Sequence, residues 1–467
     1  MRLPLVGQPD EFGAISMQVT QRRIDAGLPS AQQLESIAQR MLEEALRRGA
    51  TAAEAALSVA SGLSVTVRKA EVDTLEHQRD RSLGVTVYLG QRQGAASTSD
   101  FSDRSLIATV EAAIAIARHT SEDPAQGLAD PDRMAQAQPD LDLYHPWALD
   151  ADGAIELATE CEAAAFAVDP RIDNSDGASV STTQATRVYA NTHGFVGTYR
   201  STRHGLSCMM VARDAHGMQR DYWYSVHRHP EGLLDAATVG RLAGEHTLRR
   251  LGARRVRTCR VPVVFAPPMA RGLIGHLVAA VSGGSLYRKA SFLCDAIGKT
   301  VMAPGLSLIE EPHLRRGLAS AAFDQEGVAT ARRELVSNGV LQGYVLGSYS
   351  ARKLGMASTG NAGGVHNLIL PAGDTDLDGL LRTMGRGLLV TEMMGQGANL
   401  LTGDYSRGAA GFWVEDGSIA YPVEEITVAG NLREMLMEIV AVGSDVDCRG
   451  AIQCGSLLID GLTVAGE

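Results

Sequence analysis

The 23-residue run "GQGANLLTGDYSRGAAGFWVEDG", Gly395–Gly417, carries six glycines and constrains the fold more than any other stretch of the chain. Glycine is costly to order, so a chain concentrates it where the backbone needs positive φ or where something approaches closely. Three uses compete: a phosphate cradle, tight turns between buried strands, or a surface along which a second backbone lies. The P-loop pattern needs a Lys and a following helix, and neither is present. The dinucleotide fingerprint fails too, because Leu400 stands at its third glycine position. Turns therefore remain, with "TGDYSRG" read as one tight turn and "VEDGS" as a hairpin centred on Asp-Gly. An extended peptide held at a sheet edge stays compatible with them.

At 467 residues the chain exceeds what one hydrophobic core supports, so two or three domains are expected. Residues 1–29 read as a flexible leader. Ser30 and Gln33 form a capping box, and Leu34, Ile37, Ala38, Met41, Leu42, Ala45 and Leu46 follow helical spacing up to Gly49. The alternating runs "AALSVAS", "LSVTVRKAEV" and "LGVTVYLG" predict half-buried antiparallel strands. A helix is predicted from Ser102, then a long surface connection over 120–146, then the helix "GAIELATECEAAAFAV". Ser/Thr alternating with Val/Tyr through "SVSTTQATRVYANTHGFVGTYRSTRHGLSC" predicts a sheet with one wet face. After the helix "DAATVGRLAGEHTLRRLGA", the basic linker "RRVRTCR" leads into the strand "VPVVFA" and the helix "PMARGLIGHLVAAV". Helices and strands come in runs, so the expected class is α+β in two domains. An N-terminal antiparallel sheet with helices spans 30–254, and a Gly-rich, mainly β domain with a few helices spans 255–467.

The net charge is −11 and no Lys/Arg block occurs, which argues against direct nucleic-acid binding. Six scattered cysteines with no CxxC pair read as reduced thiols. No apolar run reaches membrane-spanning length and no secretory signal opens the chain, so a soluble cytoplasmic protein is expected.

Short chemical motifs are weak throughout. Ser350 to Lys353 fits S-x-x-K without its companion motifs, and Ser406 does not sit in a G-x-S-x-G elbow. His227 and His229 put two imidazoles on one strand face with no third ligand in view. His276, His366 and Cys454 stand alone in sequence, and Glu392, Glu415, Glu424 and Glu425 supply carboxylates near the Gly-rich run.

Longer blocks carry a resemblance. "SDGASVSTTQATRVYANTHGFVGTYRSTRHGLSC", "GLIGHLVAAVSGGSLYRKASFL", "SYSARKLGMASTGNAGGVHN" and "VTEMMGQGANLLTGDYSRGAAGFWVEDGSIAYPVEEITVAGNL" together resemble the TldD/PmbA family of metallopeptidases, in its PmbA (TldE) branch. The resemblance implies one half of a cytosolic heterodimeric zinc protease, also labelled a modulator of DNA gyrase. Its implied substrates are unfolded peptides of the leader-peptide or antitoxin kind. TldD-type members carry an H-E-x-x-x-H helix, and the matching positions here are Gly275, His276 and Ala280. Cys454 falls where that type has a Cys thought to complete the metal site. The resemblance therefore implies no metal or catalytic residue in this chain, zinc in a TldD-like partner, and a homodimer when isolated. It makes Gly395, Gly397, Tyr405, Ser406 and Arg407 the expected peptide contacts. Two other readings stay open: a peptidase acting alone through His276, His366, Cys454 or the His227/His229 pair, and a homodimeric peptide-binding adaptor.

Overall fold

The computed structural model describes residues 29–215 and 217–466; the leader expected over 1–29 lies, but for Pro29, outside them. The protein is α+β with two domains. Helix α1 (Ala31–Arg47) starts at the predicted capping box, in which Gln33 N donates to Ser30 Oγ and Ser30 N donates to Gln33 Oε1. Its six buried apolar residues face the first sheet, built from β1 (Ala52–Arg68), β2 (Glu71–Leu89) and β3 (Arg92–Thr98). Helices α2 (Asp103–His119) and α3 (Ala151–Phe166) follow, then β4 (Ile172–Asn191), β5 (Val196–Asp214), β6 (Gly217–His227) and α4 (Ala236–Arg249). All neighbours in this sheet are antiparallel, in the order β3-β2-β1-β4-β5-β6.

One face of β1 is covered along its length. Ala53, Ala55, Leu57 and Val59 of β1 pack with α1 and α2, while Leu63, Val65 and Val67 pack with α3 and α4. The other face keeps the predicted hydroxyls. The run "LSVTVRKAEV" is not one strand: Lys69 and Ala70, at φ 54° and 61°, turn the chain between β1 and β2. No Asn-Gly announces this turn. It is held by the buried Glu162 of α3, which accepts from Lys69 N at 2.8 Å, from Ala70 N at 2.9 Å and from the Ser175 hydroxyl.

The 120–146 connection is also no surface loop. Leu128, Ala129, Met134, Leu141 and Leu143 are buried. Its backbone is satisfied from both domains: Ala329 N donates to Arg133 O, Ala135 N to Gly327 O, Thr202 N to Leu143 O and Arg316 N to Leu141 O. A segment lacking regular structure can be buried only when its polar groups find partners in this way.

The second domain contains β7 (Cys259–Phe265), α5 (Pro267–Ala280), α6 (Gly283–Tyr287), β8 (Leu308–Glu310), β9 (Arg333–Ser337), β10 (Val340–Leu341), α7 (Ser348–Lys353), β11 (Leu368–Ile369), α8 (Leu377–Met384) and β12 (Gly387–Met394). It closes with β13 (Asp404–Glu415), β14 (Ser418–Asn431), α9 (Leu432–Met437), β15 (Ile439–Val442), β16 (Ile452–Gln453) and β17 (Leu457–Ala465). Strands β14-β13-β12-β7-β17 follow one another, and β17 pairs back onto β14 at Thr427–Ala429, so five strands form a closed ring. Closure removes the unpaired edges that an open sheet must otherwise protect. Leu273, Ile274 and Leu277 of α5 share one core with Val263 and Phe265 of β7, Leu388 and Val390 of β12, and Tyr405 and Ala409 of β13.

The Gly-rich run now has its explanation. Asp416 and Gly417, at φ 50° and 73°, make the predicted β13–β14 hairpin. "TGDYSRG" is not a turn; Gly403 ends the loop and Asp404 already begins β13. Gly397 lies so close to β13 that an added Cβ would meet Ser406 O at 1.6 Å, and at Gly411 it would meet Leu389 O at 1.9 Å. Close backbone packing within the ring, rather than ligand approach, requires these two glycines.

Candidate functional site

Helix α5 begins at the Pro267–Pro268 pair, whose fixed φ and missing N–H suit a first helical turn. It presents the three positions singled out from sequence in three different settings. Gly275 has room beside it, since a Cβ there would touch only Ile452 Cδ1, at 3.9 Å. Ala280 is fully buried, and its carbonyl accepts from Ser291 Oγ at 2.6 Å. His276 is half-buried and meets the Tyr405 ring edge-on, with centroids 5.9 Å apart. Its Nε2 is buried without a hydrogen-bond partner. Burial, and then the charge of Arg407, hold its pKa below the ordinary histidine value, so the ring is neutral near pH 7.

The residues read as peptide contacts divide between two faces. Along β13, Tyr405, Arg407 and Ala409 share the core-facing side, while Ser406 points the other way and is exposed. Both edges of β13 are engaged here: β14 pairs with Tyr405, Ser406 and Arg407, and on the other side Ser406 N donates to Gly397 O at 2.7 Å. The backbone of Tyr405–Arg407 is therefore engaged within the ring. No open sheet edge is present at Tyr405–Arg407, where the Tyr405 side chain is buried and that of Arg407 half-buried.

A second cluster, not recognised in the sequence, joins the domains beside α5. Asp447 is buried and accepts from Arg449 Nε at 2.9 Å and Nη2 at 3.1 Å, with Arg271 of α5 3.4 Å away. Burial pushes the Asp447 pKa up, but these guanidinium contacts outweigh it and hold the carboxyl below its ordinary range. Arg449 Nη1 donates to Tyr224 O on β6 at 2.7 Å, and its guanidinium lies over the rings of Tyr224 and Trp223. Arg271 donates to the Tyr224 hydroxyl at 3.3 Å. From Tyr224 a groove of about 560 Å³ runs across the wet face of the first sheet, lined by Ser179, Ser181, Ser207 and Tyr222 among others. The signal that could have revealed this cluster is the acid–base pair Asp447 and Arg449 in "DVDCRG", separated by Cys448 alone and lying between Gly443 and Gly450.

The side chains present do not fit a catalytic metal ion. Such a site needs three protein ligands and an open position. Among the described residues no three His, Cys, Asp or Glu side chains converge for one. Gly275 and Ala280 offer no donor atom. Cys454 is fully buried with its Sγ 4.0 Å from Pro267 O, and burial pushes its thiol up to about 12, away from the thiolate a metal binds. His366 lies elsewhere, with its Nδ1 3.3 Å from the buried Glu310 that also pairs with Arg333. His227 Nδ1 is taken by His229 N at 3.0 Å, and His229 Nδ1 by Glu231 N. The S-x-x-K pair is likewise divided, with Ser350 Oγ on Gly347 O and Lys353 on Asp123. Two of the nearby carboxylates tie the domains together, Glu392 with Arg250 and Glu424 with Gln219.

Three segments match the domain models of one family: PmbA/TldA metallopeptidase domain 1 over residues 53–117, the central domain over 144–251 and the C-terminal domain over 258–466. The chain belongs to the PmbA/TldD metallopeptidase family. The first two segments fold onto one continuous sheet, β1 pairing with β4 through fourteen residues. Within the family the strong likeness is to PmbA proteins. "Metalloprotease PmbA" of Escherichia coli O157:H7 is 48% identical over 415 residues, 89% of this chain and 92% of that protein. A PmbA homologue of Haemophilus influenzae is 48% identical over 437 residues, 93% of this chain and 97% of that protein. A TldD homologue from the same species matches more remotely, at 26% over 263 residues, 50% of this chain and 54% of that protein. A crystal structure from Bacteroides thetaiotaomicron, of a proposed modulator of DNA gyrase, superimposes with a TM-score of 0.89 at 30% identity. It covers 94% of this chain and the whole of that one. No helix among the described residues is long and apolar enough to cross a membrane.

Proposed function

We propose that this chain is the metal-free, peptide-holding subunit of a cytosolic two-chain zinc protease, and that a TldD-type partner supplies the zinc and the general base. The single observation that carries this reading is the pair Gly275 and Ala280: a hydrogen and a methyl stand where a zinc-binding helix of the H-E-x-x-x-H kind has its two imidazoles. The neutral His276 beside them and the protonated Cys454 support it, because neither is placed with the further donors a hydrolytic metal needs.

On this reading the chain contributes orientation to the reaction. The groove on the wet face runs from the first sheet to Tyr224, where Arg271 and Arg449 fix its end against α5. An unfolded peptide lying there would meet hydroxyls and two tyrosine rings, which hold many sequences with little preference. Positioning of this kind lowers the entropic part of a barrier without any catalytic group of its own.

The test is to purify the chain alone and together with a TldD-type partner, load both with zinc, and assay hydrolysis of an unfolded peptide. Activity confined to the pair is expected. Hydrolysis by the lone chain at a comparable rate would refute the proposal.

A further inference from the structure

Arg407 is half-buried, and its Nε is buried without a hydrogen-bond partner. Among the described residues it forms no ion pair, and no carboxylate joins Arg407 as a charged influence on the adjoining His276. Elsewhere in the second domain the partly buried guanidiniums are matched: Arg333 by Glu310, Arg271 and Arg449 by Asp447, and Arg352 by the carbonyls of Ala125, Gly127 and Leu128. Removing a cation from water is costly unless an anion or a set of acceptors compensates. The Tyr405 side chain is hydrogen-bonded to Arg407, and close by lies a second orphan, the buried Nε2 of His276, whose ring meets that of Tyr405. Three nitrogen- or hydroxyl-bearing side chains thus converge from α5 and one face of β13, with no acidic group among them.

We infer that Arg407, with His276 and Tyr405 beside it, is a receptor for a carboxylate group of a bound peptide. Arginine suits this task because its planar fork meets a carboxylate in two parallel hydrogen bonds. The backbone of β13 is fixed on both sides by β14 and by Gly397, so the guanidinium is carried on a rigid strand. Gly397 matters here for a second reason, since the Arg407 Cγ lies where a residue larger than glycine would crowd it, 3.4 Å from an added Cβ. This inference rests on the peptide-holding role proposed above and adds to it the chemical group that is recognised. The carboxylate has two sources in a peptide, its C-terminus or an Asp or Glu side chain.

The test uses the intact chain and four fluorescently labelled peptides of one unfolded sequence, with a free or amidated C-terminus and with one internal Glu or Gln. Binding is read by anisotropy at low salt. A charge-assisted, forked pair predicts about 10-fold or greater weakening when the recognised carboxylate is removed. A loss on amidation assigns the C-terminus, and a loss on Glu-to-Gln exchange assigns a side chain. Arg407→Gln should abolish that difference, with Arg407→Lys retaining part of it. Equal binding of all four peptides by the unaltered chain would overturn the inference while leaving peptide holding intact. Failure to bind any of them would overturn both.

Discussion

One terminal nitrogen of Arg449 donates to the carbonyl of Tyr224 at 2.7 Å, pinning the edge strand of the first sheet to the second domain next to α5. The same guanidinium neutralises the buried Asp447, so one side chain both joins the domains and compensates a charge. Arg449→Met keeps much of the stacking volume and the N–H of residue 449 on Asp447, but leaves Arg271, 3.4 Å away, as its cationic partner. Losing one partner of a buried pair predicts destabilisation of about 3 kcal/mol in urea titration. The acid limit should also move. Asp447 is depressed in the folded state, so its contribution is complete above the unfolded carboxylate value and is lost as pH falls through the folded one. In Arg449→Met the folded value moves up toward the unfolded one, so this pH-dependent contribution should be smaller.

The β1–β2 turn gives a second prediction. Glu162→Gln replaces an oxygen that accepts a backbone N–H with an amide that donates, setting donor against donor at Lys69 or Ala70. A loss of about 1–3 kcal/mol is expected by chemical denaturation. Replacing Lys69-Ala70 with Asn-Gly, which accepts positive φ readily, should recover part of it.

Two glycines two residues apart should behave differently. Gly395 has φ 77° with open space where a Cβ would go, so Gly395→Ala should cost about 1 kcal/mol, from backbone strain alone. Gly397→Ala drives a methyl into Ser406 O and should cost more than about 2 kcal/mol. Thermal melts of the two variants would test the difference. Equal losses would contradict close packing against β13 as the reason for Gly397.

Three histidines, His204, His246 and His276, are held below the ordinary value, in each case first by burial. A base whose folded pKa is depressed binds more protons when unfolded, so stability falls as pH drops below about 6.5. The melting temperature should therefore be lower at pH 5.5 than at pH 7.5. His204 makes a sharp case, since Nδ1 meets Thr182 Oγ1 and Nε2 meets His145 O. His145, His227 and His229 stand near it and add to burial in lowering its pKa. His204→Gln should flatten the pH dependence.

Local signals were legible in the sequence where local chemistry decides the structure. The Ser30–Gln33 box, the Asp416–Gly417 hairpin and the alternation along β4 and β5 appear as read. The Lys69–Ala70 turn was hidden because Glu162, 92 residues from Ala70, specifies it. The burial of 120–146 was hidden because its polar composition is satisfied by partners in both domains. At the candidate site, Gly275 and Ala280 were legible as positions without a side-chain donor. The division of Ser406 from Tyr405 and Arg407 required knowing that β13 starts at Asp404, and the Asp447–Arg449–Tyr224 cluster required the packing of one domain on the other.

The most direct test of the metal-free role is the zinc content of the isolated chain after saturation with zinc and gel filtration, measured by elemental mass spectrometry. Far less than one equivalent is expected, with no change in His276→Ala. One firmly held zinc per chain, lost in His276→Ala or Cys454→Ala, would contradict that role.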